Sequence, residues 1–372
     1  MRFSLGQVLS WRMRRQFLDR PAETPAETIV ERLCGVQAQV ASAAELAVAV
    51  RRPAPGDSGT DPALERRSLI KVWAMRGTLH LLTAEDAPAY LSLMAAPRTW
   101  EKPSWQKTFA TTAQMTAIAE AIREILPGRT LTREQLTAEI LERTGDDALT
   151  GPLGSGWGTV LKPLAWQGYL CHGPSDRNRV TFTSPGTWID GWTGLPEPDE
   201  AAVRVIPAYL GAFGPATTES FDQWLIRGMS KKASLRKWFT GLTRSGVLTE
   251  VEVDGRSAYA RTADLDDIAA AEPVPGVRLL PAFDQFVLGP GTREEHIIDP
   301  ERRPLISKAA GWISPVVVAA GRVAGTWEQT DSGITVQLFA EAGPVPGDDL
   351  AAEAAHVAAI IGCRPGLTVT TV

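Results

Sequence analysis

The feature that most constrains this chain is one order of predicted elements that occurs three times: three short helices followed by two strands. The copies begin near residues 5, 114 and 199, and each changes from helical to alternating apolar spacing. In the second copy, Thr132 followed by Gln135 predicts a helix that begins with a capping box. In the third copy, Asp254-Gly255 between two alternating segments predicts a hairpin. Three helices and a two-stranded wing indicate tandem winged-helix units.

The first copy is the least regular, with helices predicted at 5–19, 26–34 and 41–50 and strands at 72–77 and 78–83. The last part, roughly 276–372, has short apolar segments separated by Gly and Pro, which predict a β-rich, barrel-like domain. A helix at 348–361 and a strand at 367–371 complete it. Pro-rich joints are predicted at 52–62, 184–198 and 272–276. We therefore predict an α+β fold in four parts, the first three of them winged-helix units: 1–110, 111–196, 197–272 and 273–372.

Composition limits the class of protein. No stretch approaches the roughly 20 apolar residues that a membrane helix needs, so we expect no membrane span. The three cysteines are far apart, which favours a reducing cytoplasm and predicts neither a disulfide framework nor a zinc site. Nucleotide-binding glycine motifs and metalloprotease motifs are missing from the sequence, so we expect no cofactor and no metal. We expect a monomer.

The net charge of −5 means that a DNA-binding role requires the basic residues to be segregated onto one face. Two groups of basic residues stand out. One is assigned to the third helix of the third copy: Arg227, Lys231, Lys232, Arg236 and Lys237. The other surrounds the first wing: Arg51, Arg52, Arg66, Arg67, Lys71 and Arg76. Both are candidates for phosphate contacts, and a solvated charged face is the alternative interpretation.

The segment Gln37-Ala38-Gln39 lies between two predicted helices of the first copy. On local grounds alone, two glutamines in a turn indicate polar surface. Together with residues 33–36, 76–81 and 279–284, however, the segment resembles the winged-helix DNA glycosylases of the AlkZ/YcaQ type. The resemblance covers nearly the whole chain, and Gln at the third position of the motif is similar to the AlkZ branch.

The resemblance implies a concave DNA channel formed by winged-helix units, with Gln37 and Gln39 as the catalytic pair. It also implies double-stranded DNA as the partner and a role in resistance to DNA-crosslinking natural products. Arg76 and His80 lie in the second matching segment. A contact of His80 with the DNA backbone or the lesion is one interpretation, and a polar residue on a wing strand is the other.

Two glutamines are sufficient only for a labile substrate. A purine alkylated at N7 or N3 already carries a positive charge and leaves as a neutral base, so it needs no general acid. The two amides can still raise the rate of hydrolysis, because they position the attacking water and direct a preorganised dipole at the sugar. We therefore predict a monofunctional glycosylase for cationic N-alkylpurines, including interstrand crosslinks, which an open channel accommodates better than a tight base-flipping pocket. The alternatives are a non-enzymatic winged-helix DNA-binding or regulatory protein and a protein that sequesters a small alkylating drug.

Overall fold

A computed structural model of the protein describes residues 1–53 and 59–372. Residues 54–58, within the joint predicted at 52–62, lie outside the described residues. In the described part, no helix is both long and apolar enough to cross a membrane. The elements of the first unit are β1 (Arg2–Phe3), α1 (Leu5–Arg15), α2 (Ala26–Arg32), β2 (Val36–Gln37), α3 (Ala41–Ala49), α4 (Thr60–Glu65), β3 (Leu69–Trp73), β4 (Leu79–Thr83), α5 (Ala87–Ala95) and α6 (Pro103–Thr108).

The first helix is shorter than predicted. Helix α1 begins with a reciprocal capping box between Ser4 and Gln7 and ends at Arg15 instead of residue 19. Phe17 has a positive φ of 57°, a left-handed backbone conformation that cannot continue a right-handed helix. The periodic pattern 5–19 therefore identified the helix but not its end.

The second and third units follow the predicted order. The second contains α7 (Thr112–Ile125), β5 (Leu131–Thr132), α8 (Arg133–Thr144), α9 (Thr150–Gly154), α10 (Leu161–Trp166), β6 (Cys171–His172), β7 (Thr181–Thr183) and α11 (Pro185–Trp188). The third contains α12 (Pro198–Phe213), α13 (Thr218–Ile226), α14 (Lys232–Arg244), β8 (Leu248–Val253), β9 (Arg256–Arg261) and α15 (Leu265–Ala269). The capping box of Thr132 and Gln135 is confirmed, as is the Asp254-Gly255 hairpin between β8 and β9.

Neighbouring units share sheets. The wings of the first two units join into one six-stranded sheet of order β2-β4-β3-β6-β7-β5, linked where Lys71 pairs with His172. Strand β1 adds to the third wing by pairing in parallel with β8, an N-terminal contact that the sequence did not indicate. The predicted four-part division stays a prediction, and these shared sheets show that the units are joined by backbone hydrogen bonds.

The C-terminal part is β-rich, as predicted, and contains β10 (Val277–Leu280), α16 (Gln285–Leu288), α17 (Arg303–Ile306), β11 (Val316–Ala319), β12 (Arg322–Thr330), β13 (Gly333–Leu338), α18 (Gly347–Ile361) and β14 (Leu367–Thr371). Its five strands form an open sheet of order β10-β11-β12-β13-β14, not a closed barrel. Helix α18 packs beside β10, and the Glu353 carboxylate accepts a hydrogen bond from the Leu279 N–H at 3.1 Å. A side chain thus satisfies an edge group that a barrel would pair with another strand.

Arg51 joins the first unit to the C-terminal part. Its guanidinium donates to both carboxylate oxygens of Asp284 at 2.8 Å, and both side chains are fully buried. It also donates to the carbonyls of Gln16 and Ala47. The interpretation of Arg51 as a phosphate contact is therefore wrong, because a paired and enclosed arginine cannot reach DNA. The pair also gives a structural role to Asp284, the last residue of the segment 279–284 that carries part of the family resemblance.

Candidate active site

A tight glycine turn delivers Gln37 to the first wing. Cys34 and Gly35 have positive φ values of 55° and 95°, and a Cβ on Gly35 would lie 2.6 Å from the Leu82 side chain. Only glycine fits this close approach. The chain then enters β2, where Gln37 pairs with His80 of β4 in antiparallel register. The Gln37 side chain is only 5% exposed, so its amide is held in place and not free in solvent.

Arg76 fixes the Gln37 amide. It lies in the turn between β3 and β4 with φ 58°, and its Nη2 donates to Oε1 of Gln37 at 3.2 Å. Its Nη1 donates to the carbonyl of Trp224 on α13 at 3.2 Å. Burial, and then the charge of Arg227, lower the pKa of Arg76 to about 10, so it stays protonated at neutral pH. One arginine thus connects the first wing, the third unit and the candidate catalytic amide.

His80 lies opposite Gln37 on the neighbouring strand and is fully buried. Its Nδ1 is 3.0 Å from the carbonyl of Thr78, a contact that assigns the proton to Nδ1. Nε2 is then an acceptor, and it has no hydrogen-bond partner among the described residues. Burial, and then the charge of Arg76, lower the pKa of His80 to about 3. The imidazole is therefore neutral at physiological pH and offers no exposed surface to a phosphate.

Gln39 differs from Gln37 in exposure. The Ala38 N–H donates to the carbonyl of Leu79 at 2.7 Å, which extends the strand pairing by one residue beyond Gln37. Ala38 is buried, whereas Gln39 is exposed and makes no hydrogen bond to another residue of the described chain. The motif therefore presents one clamped amide and one amide that is open to solvent.

Each winged-helix unit contributes one basic residue near the wing turn that carries Arg76, and we call Arg76, Lys162 and Arg227 the interunit cluster. Lys162 of α10 approaches the wing turn, because a Cβ on Gly77 would lie 3.9 Å from its Cδ. Burial, and then the charge of Arg227, lower the pKa of Lys162. Within the described residues, no carboxylate forms a salt bridge with any of the three. No local pattern in the sequence indicates Lys162, which is a lone cation in an apolar helix.

The second basic group lies farther along the third unit. Arg227 is the C-cap of α13 and Lys231 is the N-cap of α14. Residues 227–231 therefore form a turn between the two helices, and the prediction that they belong to the third helix is wrong. Lys231, Lys232 and Arg236 are exposed, and we call them the α14 basic face. Lys237 is also exposed but forms an ion pair with Asp199.

The other residues around the first wing do not form one surface. Arg66 pairs with Glu27, while Arg67 donates to the carbonyl of Thr187 and lies over the Trp188 ring. Lys71 is half-buried and lines a cleft of about 580 Å³ together with His172. No group of His, Cys, Asp and Glu in residues 1–53 and 59–372 could hold a metal ion.

Three winged-helix units that bring together, at the turn of the first wing, cations without a salt-bridge partner among the described residues define a DNA-binding protein of the tandem winged-helix class. The comparisons identify the particular family. A family model described as DNA glycosylase AlkZ-like matches residues 30–360. A Streptomyces sahachiroi protein named "Interstrand DNA cross-link repair glycosylase" is 48% identical over 364 residues, which cover 97% of this chain and 98% of that protein.

The structural comparison agrees with the sequence comparison. The solved structure of Streptomyces sahachiroi DNA glycosylase AlkZ matches with a TM-score of 0.95 over 100% of both chains, at 48% identity. This chain therefore belongs to the AlkZ-like DNA glycosylase family. The resemblance inferred from three short segments is confirmed.

Proposed function

We propose that this protein hydrolyses the N-glycosidic bond of cationic N-alkylated purines in duplex DNA, with Gln37 and Gln39 positioning the attacking water. The observation that carries the proposal is the clamped Gln37 amide, which Arg76 holds at 3.2 Å beside its cross-strand partner, the neutral and buried His80. His80 is neutral at physiological pH, and Arg76, with a pKa of about 10, is a weak acid committed to Gln37, so neither is an efficient general acid for a leaving base. The substrate must therefore carry its positive charge before it binds.

The chemistry requires little from the protein. The C1′–N9 bond breaks, its electron pair neutralises the cationic purine, and water forms the new bond to C1′ and releases a proton to solvent. A glutamine carbonyl oxygen has two lone pairs, so Oε1 of Gln37 can accept from water while it accepts from Arg76. The exposed Gln39 supplies a second acceptor, so the two amides orient the water from two sides.

The interunit cluster would oppose positive charge on the sugar unless DNA neutralised it. Arg76, Lys162 and Arg227 are cations without salt-bridge partners in the described structure, and an oxocarbenium-like sugar beside them would be destabilised. We therefore assign these residues to backbone phosphates on either side of the lesion. The α14 basic face, together with Lys237, extends the contacts along the duplex. His80 lies beside Gln37 as its buried cross-strand partner and does not bind phosphate.

We extend the substrate to interstrand crosslinks. The curated relative is named for interstrand cross-link repair, and a crosslinked purine cannot rotate out of the duplex into a pocket. Gln39 is exposed and so can meet a base that stays in the helix. We propose that the protein acts as a monomer in the cytoplasm, where it gives self-resistance to a DNA-crosslinking natural product. Its three unpaired cysteines are consistent with a reducing compartment.

The test is base release from defined duplexes. We expect free 7-methylguanine and alkali-labile abasic sites with turnover, and separated strands on a denaturing gel when the duplex carries an N7–N7 crosslink. Duplexes containing 8-oxoguanine or hypoxanthine should stay intact, because those bases are uncharged. DNA binding without base release would instead indicate a non-enzymatic protein, and efficient hypoxanthine excision would contradict the argument from charge.

A further inference from the structure

Trp157 is the most exposed large apolar side chain in the described part of the chain, at 73%. Most tryptophans of this protein are buried, including Trp73, Trp166 and Trp224. An indole left in water forgoes a large amount of apolar burial, and tryptophan is enriched at binding interfaces. Trp157 therefore indicates a surface that a partner covers.

The backbone that carries Trp157 is held in place. Arg133 donates from Nη1 to the carbonyl of Ser155 at 3.2 Å. Gly158 has a positive φ of 62° and lies so close to the Trp73 ring that an added Cβ would be 2.6 Å from it. Trp157 thus projects from a loop anchored on both sides.

The loop lies beside the interunit cluster. The Lys162 N–H donates to the carbonyl of Gly158 at 2.9 Å, so Trp157 directly precedes the first turn of the helix that carries Lys162. The Lys162 side chain approaches Gly77, which follows Arg76 in the wing turn. The loop that carries Trp157 and the clamped Gln37 amide therefore lie at the same end of the first wing.

We propose that Trp157 stacks on DNA bases next to the lesion. Aromatic side chains stack on bases of any sequence, and apolar side chains inserted at a base step unstack and bend a duplex. The cations beside Trp157 would bind the phosphates that flank the opened step. For a crosslinked purine that cannot leave the helix, this insertion opens the stack and exposes the sugar to water. The inference rests on the proposed function, since it requires a duplex bound at Gln37.

The experiment uses a duplex with 2-aminopurine beside a 2′-fluoro-stabilised 7-methylguanine that resists excision. The proteins are the full chain, W157A, W157F and W312A, because Trp312 is a second exposed indole, 42% exposed, in the C-terminal part. We expect wild type and W312A to change 2-aminopurine fluorescence equally. W157A should lose that change and bind about 10-fold more weakly, and W157F should retain most of both effects.

Equal fluorescence and affinity for W157A and W312A would overturn the proposal. So would a wild-type dimer that W157A dissociates in sedimentation, because a second copy would then cover the indole. Thermal unfolding of W157A at the wild-type temperature verifies that the variant folds. Release of 7-methylguanine by wild type from a duplex without the 2′-fluoro group tests the proposed function separately from the stacking inference. If release occurs and W157A behaves as W312A does, only the stacking inference fails.

Discussion

The interunit cluster and the α14 basic face are both cationic, but they differ in how their charges are held. Arg76 is half-buried, has a lowered pKa and is committed to Gln37 and to the Trp224 carbonyl. Lys231, Lys232 and Arg236 are exposed at one end of a helix. Arg76 can therefore position a reacting group as well as meet phosphate, whereas the exposed cations of the α14 basic face can only attract phosphate. Mutations in the two regions should therefore affect different steps.

The largest effect is expected at Arg76. Arg76→Asn should lower the single-turnover excision rate by about 10-fold, as loss of Gln37 itself should, because the Gln37 amide would lose the group that orients it. Asparagine tolerates the positive φ of this turn. Arg67→Asn is the matched control, because Arg67 also has a positive φ, of 60°, but bonds to the distant Thr187 carbonyl. Equal excision rates in the two variants would show that Arg76 does not contribute to the reaction.

The next effect concerns binding. Replacing Lys231, Lys232 and Arg236 with Gln should weaken affinity for any duplex and lower the salt slope by about one unit per lost phosphate contact. The excision step at saturating enzyme should not change. Lys237→Gln is the control, and it should have less effect than any residue of the triple variant because Lys237 is already paired with Asp199. A triple variant with unchanged salt slope would place the DNA face elsewhere.

The smallest effect is expected from pH on the chemical step. His80 has a pKa of about 3 and Arg76 of about 10, so the excision rate should be flat between about pH 5 and pH 9. A rate limb with a midpoint near pH 6.5 would show that a titrating acid or base acts there.

Stability should depend on pH even where the rate does not. Burial lowers the pKa of both His80 and His172 to about 3, below the unfolded value of about 6.5. Their contribution to the free energy of unfolding is complete above about pH 6.5 and is lost as pH falls from there toward 3. The melting temperature should therefore be lower at pH 5 than at pH 7.

Local signals predicted the elements, but contacts between units decide the site. The capping box at Thr132 and the Asp254-Gly255 hairpin depend on neighbours in sequence, and both were predicted correctly. Arg51 and Arg76 belonged to the same basic group in the sequence, yet one is enclosed with Asp284 and the other faces Gln37. Lys162 could not be found at all, because its place beside Gly77 and Arg227 is set by packing between units.

The central claim is that Gln37 and Gln39 position the attacking water. The most direct measurement is single-turnover release of 7-methylguanine by Gln37→Ala and Gln39→Ala, with duplex affinity measured in parallel. Each variant should excise at least about 10-fold more slowly, a cost of about 1.4 kcal/mol per decade, while affinity stays near that of wild type. Unchanged release rates in both variants would contradict the account.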